Sequence, residues 1–150
     1  MSTGAIYPSL RDRTVVVTGG GSGIGESIVR HFVAQGSKVG FLDINREASE
    51  ALVAELAPQG TVRFEHCDLR DIAALRASIA NIRAAYGPVT ILVNNAAHDE
   101  RHKLEDVTPE YWDDRMHVNL RHQFFAAQAV AEDMKAAGRG AIVNLGSISW

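Results

Sequence analysis

Hydrophobic positions along the chain fall into two alternating patterns. Short apolar, β-branched runs occur at residues 14–18 (TVVVT), 38–42 (KVGFL), 61–67 (TVRFEHC), 90–94 (TILVN) and 141–145 (AIVNL). Most are apolar on both faces, as strands covered on both sides must be. Between them lie longer stretches with helical spacing. Residues 24–35 place Ile28, Phe32 and Val29 on one side before Gly36 stops the helix. Residues 46–56 carry Ala48, Leu52 and Leu56 at four-residue spacing ahead of Pro58. A third helix is capped by Asp71, carries Ile72, Leu75, Ile79 and Ile82, and ends at Gly87-Pro88. The fourth opens at Thr108-Pro109, a cap followed by proline at the first helical position, and runs toward Gly138. Strand and helix thus alternate four times before a fifth strand. That pattern predicts an α/β fold: a Rossmann-like, doubly wound parallel sheet in a three-layer α/β/α arrangement. The expected strand order is 3-2-1-4-5, with a ligand at the carboxyl ends of the strands near the point where the order reverses.

Composition narrows the classes. The chain has 150 residues, of which 46% are hydrophobic and 22% charged, which fits one globular domain and excludes a disordered or collagen-like chain. No linker, repeat or low-complexity tract suggests a second domain. Fifteen Lys and Arg against 18 Asp and Glu give a net charge of −3 with no basic block, so no nucleic-acid partner is expected. No apolar run approaches the roughly 20 residues that cross a bilayer, so no membrane partner is expected either. The opening MSTGAIYPSLRDR lacks the basic and apolar regions of a secretory signal, and the single cysteine, Cys67, has no internal partner. These features predict a soluble cytoplasmic protein.

The first strand leads into Thr18-Gly-Gly-Gly-Ser-Gly-Ile-Gly25 and then into the first helix. Glycine serves two needs there: the turn requires backbone angles that a Cβ resists, and a phosphate reaches the helix N-terminus only where no side chain intervenes. A tight turn would need no more than this, but an acid at the end of the second strand supplies the context of a dinucleotide site. Residues 20–27 also come within one position of a P-loop, yet Glu26 stands where the phosphate-binding lysine must be. An S-adenosylmethionine site uses a similar turn and acid, so both readings stay open on the first half of the chain. Asp43 lies 18 residues beyond Gly25, in position to accept hydrogen bonds from an adenosine ribose. Two unit charges about 4 Å apart at an effective dielectric near 20 interact by roughly 4 kcal/mol, so a carboxylate there opposes a 2′-phosphate. NAD is therefore the expected cofactor, with Arg46, three residues on, offering a 2′-phosphate some compensation.

At this point the chain resembles the short-chain dehydrogenase/reductase family. Thr18-Gly19-x-x-x-Gly23-x-Gly25 is similar to the family's glycine motif, and four more segments match in the same order. They are Cys67-Asp68-Leu69, Asn94-Asn95-Ala96-Ala97, Val118-Asn119-Leu120 and the run Ile142-Val143-Asn144-Leu145-Gly146-Ser147. The methyltransferase reading has no use for this Asn and Ser. Cofactor contacts implied by the resemblance fall on Gly19, Gly21, Ser22, Gly23, Ile24, Gly25, Asp43, Ile44, Asp68, Leu69, Asn95, Ala96 and Ala97. Ala97 replaces the family's usual glycine and adds a methyl group beside the cofactor. Within the family, AIYPSL, FLDI, the stretch HDERHKLEDVTPEYWDDRMHVNLRH and GSISW look most like sugar 1-dehydrogenases, D-xylose 1-dehydrogenases above all. Such enzymes oxidise the C1 hydroxyl of a cyclic aldose to the lactone with NAD. The resemblance thus implies a sugar as small-molecule substrate and a homo-oligomer, commonly a tetramer, as the assembly.

Alcohol oxidation by hydride transfer needs a base, donors for the developing alkoxide, and a substrate held against the nicotinamide. By resemblance, Ser147 polarises the substrate oxygen and Asn119 supports a proton relay. The family's base is a Tyr followed four residues later by a Lys. Here Tyr7, Tyr86 and Tyr111 are followed at that spacing by Arg11, Thr90 and Arg115. The family pair lies about a dozen residues beyond the Ser, past Trp150. The chain therefore reads as the N-terminal part of a longer enzyme and is expected to be inactive alone; a natural, complete chain would instead be a non-catalytic dinucleotide-binding module. Ser149, Trp150, His98 and Asp99 are expected around the substrate mouth, where a plain loop role is the competing reading. His98-Asp-Glu-Arg-His102 resembles a zinc helix motif but directly follows a strand, so no metal site is expected. His117 and His122, five apart, are poorly placed to share a helical face.

Overall fold

The computed structural model describes residues 4–146. Its strands are β1 (Thr14–Thr18), β2 (Lys38–Asp43), β3 (Val62–His66), β4 (Val89–Asn94) and β5 (Ala141–Asn144). They pair in parallel in the order β3-β2-β1-β4-β5, the order that the alternating pattern predicts. The order reverses at β1, because the chain crosses from β3 over β2 and β1 to place β4 on the far side.

All five residues of β1 are buried, and the two-residue period of a strand divides them between two cores. Val15 and Val17 pack with Val29 and Val33 of α1 (Gly23–Ala34) and Leu52 and Leu56 of α2 (Arg46–Leu56). Val16 faces Leu75, Ile79 and Ile82 of α3 (Ile72–Tyr86) on the other side. The last long helical stretch comprises α4 (Pro109–Met116), a π-helical turn (His117–Arg121) and α5 (His122–Ala136), and Ala126 and Val130 of α5 join the Val16 core. Among the described residues no helix is long and apolar enough to cross a membrane.

Several details depart from the sequence pattern. The buried line of α1 is Gly25, Val29 and Val33, with Ile28 and Phe32 half-buried at the rim of the same core. Gly25 lets this line approach the end of β1, which turns the helix by about one residue relative to a face centred on Ile28. On α2 the buried position is Ser49 rather than Ala48, because the Ser49 hydroxyl donates to the Asn45 carbonyl at 2.6 Å and leaves no unpaired polar atom. The fourth helix is not uniform, since the π turn inserts one extra residue into its spiral. Strand β5 is exposed along its length; among the described residues it is the outermost strand, paired with β4 and packed against α5. Side-chain caps hold three helix starts: Asn45, Asp71 and Thr108 accept from the amides of Ala48, Ala74 and Tyr111.

One ion pair ties the elements below the site together. Arg83 donates to Asp133 at 2.7 Å, and the same carboxylate accepts the amide of Val89 at 3.0 Å, linking α3, α5 and the start of β4. This pair fixes the amino-terminal end of β4, at the opposite end of the strand from the loop that follows Asn94.

Candidate functional site

A cleft of about 580 Å³ opens where the strand order reverses. The loop after β1 contributes Gly19, Ser22, Ile24 and Gly25, and the end of β2 contributes Asp43 and Ile44. Cys67, Asp68, Leu69 and Arg70 follow β3; Asn95, Ala96, Ala97 and His98 follow β4; Val118 comes from the π turn. Two glycines make this wall possible. Gly19 has a φ of +67°, and a Cβ on Gly25 would lie 1.8 Å from the Gly19 carbonyl oxygen. Ser22 caps α1 only with its backbone, so no side chain occupies the amides at the helix start. That leaves the positive end of the helix dipole facing the cleft, as an anion requires.

Asp43 braces this loop. Its Oδ2 accepts the Gly21 amide at 2.8 Å and its Oδ1 accepts the Asn45 amide at 2.8 Å. A Cβ on Gly21 would meet Asp43 at 3.0 Å and Ser49 Oγ at 2.4 Å, so the loop lies directly on the carboxylate. Gly21 and Gly23 do not line the cleft themselves; Gly21 presents its amide to Asp43, and Gly23 opens α1 with a φ of +56°. Arg46 pairs with Glu50 along the exposed side of α2 and is likewise absent from the cleft wall.

The end of β4 is fixed by side chains reaching across the sheet. The buried Asn94 donates to Asn144 Oδ1 at 2.8 Å and so ties β4 to β5. Asn95 donates its side-chain amide to the carbonyls of Thr18 at 3.0 Å and Gly19 at 2.9 Å. In return, the Thr18 hydroxyl accepts the backbone amides of Asn95 and Ala96, each at 3.1 Å. Ala97, next in line, presents its methyl group to the cleft.

Arg70 was not singled out by the sequence, and it organises the β3 side. It donates to both oxygens of Asp68 and, at 2.9 Å, to Asp114 of α4. The shared guanidinium holds both carboxyls below the usual aspartate range and raises its own pKa. Cys67 also lines the cleft, though the sequence suggests only an apolar filler; burial pushes its thiol pKa up. Val118 reaches the cleft from the turn carrying Asn119, which itself lies off the wall and grips the His98 backbone.

Of the expected substrate-mouth residues, His98 lines the cleft and Asp99 does not. Ser147, Ser149 and Trp150 lie outside the described residues. The His98–His102 segment is an irregular loop, not the helix that a two-histidine zinc motif needs. None of Tyr7, Tyr86 and Tyr111 borders the cleft; Tyr111 instead donates its hydroxyl to the Glu100 carbonyl at 3.2 Å.

Residues 13–149 match the sequence profile of the short chain dehydrogenase family. The chain belongs to the short-chain dehydrogenase family. It is 55% identical over 148 residues to a D-xylose 1-dehydrogenase of Caulobacter vibrioides, covering 97% of this chain and 58% of that protein. It is 50% identical to a probable galactose dehydrogenase of Rhizobium meliloti, covering 96% of this chain and 57% of that protein. The chain thus spans a little over half the length of these curated relatives. Among solved structures, a metagenomic short-chain oxidoreductase in complex with NADP superposes with a TM-score of 0.87 at 34% identity, over 94% of this chain and 65% of that one. A Serratia marcescens short-chain dehydrogenase/reductase gives 0.86 at 30% identity, over 95% and 58% of the two chains.

Proposed function

We propose that this chain is the cofactor-binding part of an NAD-dependent aldose 1-dehydrogenase, with D-xylose or a related sugar as substrate. The observation that carries the cofactor choice is the Asp43 carboxylate, locked under the glycine loop at the end of β2 by the amides of Gly21 and Asn45. A negative charge there accepts ribose hydroxyls and repels a 2′-phosphate; Arg46, three residues on, pairs with Glu50, and Arg70 of the cleft wall pairs with Asp68 and Asp114. Identity of 55% and 50% to two sugar dehydrogenases supports the substrate class.

The residues present suit a dinucleotide. Gly19, Ser22, Ile24 and Gly25 would hold its pyrophosphate at the start of α1, Asp43 and Ile44 its adenosine ribose, and Asp68 and Leu69 its adenine edge. Asn95, Ala96 and Ala97 would face its nicotinamide half. When bound, NAD supplies the acceptor for the hydride leaving C1 of the sugar, while the C1 hydroxyl gives up its proton. Asn119 fixes His98 at the mouth and supports the path of that proton, and Ser147 donates to the substrate oxygen. The base that takes the proton is, in this reading, a Tyr assisted by a Lys beyond Trp150, so the 150-residue portion alone is inactive.

The assembly is a homo-oligomer, a tetramer in this reading. Trp112, Met116, Leu120 and Phe124 recur every fourth residue along α4, the π turn and α5, between 36% and 65% exposed. A second copy of the chain supplies the apolar cover such a stripe calls for. The working compartment is the cytoplasm, where the buried free thiol of Cys67 stays reduced.

The test is spectrophotometric. The full-length gene product, given a panel of aldoses, should form NADH with NAD and react far more slowly with NADP. Activity with NADP alone would overturn the role of Asp43.

A further inference from the structure

His122 opens α5 and is fully buried, yet nothing in the catalytic scheme uses it. Its Nδ1 faces the carbonyl of Val118, one turn back in the π segment. A carbonyl has no hydrogen to give, so Nδ1 carries the ring proton and Nε2 is left as an acceptor. The Thr18 hydroxyl lies 3.3 Å from Nε2. Both lone pairs of that hydroxyl are already taken by the amides of Asn95 and Ala96, so its single hydrogen has one destination, the imidazole. The bonds that link Val118, His122, Thr18, Asn95 and Ala96 can all form in only one arrangement of the ring and hydroxyl protons. Burial lowers the imidazole pKa and favours the neutral ring that this arrangement requires, against the opposing effect of the Val118 bond.

The two ends of this chain of bonds are both cleft residues: Val118 on one side, Asn95 and Ala96 on the other. We propose that His122 is a positioning residue of the dinucleotide site. By fixing the rotor of the Thr18 hydroxyl it holds the Asn95–Ala96 backbone in place, and through Val118 it ties that backbone to the turn that presents Asn119. The inference rests on the reading of the cleft as a dinucleotide site.

The two ring nitrogens can be replaced separately. His122→Gln places a carbonyl oxygen near the Nε2 position and keeps an acceptor for Thr18. His122→Asn reaches only as far as Nδ1 and keeps a donor for Val118, and His122→Leu keeps neither. NADH affinity is measured by fluorescence titration on the full-length gene product, beside thermal unfolding of each variant. The Gln variant should bind within about threefold of the parent, and the Asn and Leu variants roughly tenfold more weakly, as expected for an orphaned buried hydroxyl. Where the Leu variant fails to fold, the Gln-against-Asn comparison still decides. Equal NADH affinity in Gln and Asn variants, with only the unfolding temperature lowered, assigns His122 a packing role and overturns the proposal. A parent protein that binds neither NADH nor NADPH overturns the dinucleotide reading and this inference with it.

Discussion

Asn119 holds the backbone of His98 from both sides. The His98 amide donates to Asn119 Oδ1 at 2.7 Å, and Asn119 Nδ2 donates to the His98 carbonyl at 3.2 Å. This reciprocal pair joins the loop after β4 to the π turn across 21 residues of sequence. The residue that makes both bonds sits in the π turn between α4 and α5.

Replacing Asn119 with Ala removes both bonds to His98 and leaves the loop held only farther on, by Tyr111 and Arg115 at Glu100. The expected loss is about 1–2 kcal/mol in stability and roughly a hundredfold in kcat/KM, since the mouth of the site is no longer held in register. Asn119→Asp keeps the acceptor for the His98 amide and loses the donor, so it should fall between the two. Steady-state kinetics beside denaturant unfolding check both numbers.

Asp43→Ala removes the carboxylate that braces Gly21 and opposes a phosphate. NADPH affinity should rise by about tenfold or more and NADH affinity should fall severalfold, because charge repulsion and ribose recognition are lost together. Titration of each variant with both reduced cofactors reads the change directly. An unchanged preference would mean that the carboxylate only shapes the loop.

Gly25→Ala should be severe. The new methyl would lie 1.8 Å from the Gly19 carbonyl, a backbone atom that cannot swing aside. A cost of about 3 kcal/mol in stability is expected, with cofactor binding lost even in the folded fraction. Circular dichroism at rising denaturant, paired with NADH titration, separates the two effects.

Acid should destabilise the protein in two steps. His122 has its folded pKa lowered by burial, so below its unfolded value of about 6.5 the unfolded chain binds the extra proton. Stability is therefore intact above that pH and declines as pH falls through the window down to the lowered folded value. Asp68 and Asp114, both held below the usual range by Arg70, contribute above their unfolded pKa near 4. That contribution disappears as pH falls further, through their lowered folded values. Unfolding temperature against pH should show the first decline in the parent and not in His122→Gln, while Arg70→Leu makes the second shallower and leaves the part due to Glu55 and Glu110.

Much of this was legible in the sequence because it is local. The Val-rich β1, the glycine turn and the Asp71 and Thr108 caps are each specified within a few residues, and the alternation of strand and helix gives the parallel, doubly wound sheet. What escaped the sequence depends on distant partners. Arg70 acquires meaning only through Asp114, 44 residues away, and His122 only through Thr18, 104 residues away. On α1, Val29 is the fully buried residue of the three named from the sequence, with Ile28 and Phe32 at the rim of the same core, and the part of Gly25 in how the helix meets β1 is not recorded in hydrophobicity.

Product stoichiometry with the full-length gene product, NAD and D-xylose tests the aldose 1-dehydrogenase activity most directly. NADH formed is followed by absorbance, and the sugar product is identified by NMR. One aldonolactone is expected for each NADH, with other aldoses slower. Lactone formation absent for every aldose, or NADH produced only from alcohols that are not sugars, would contradict it.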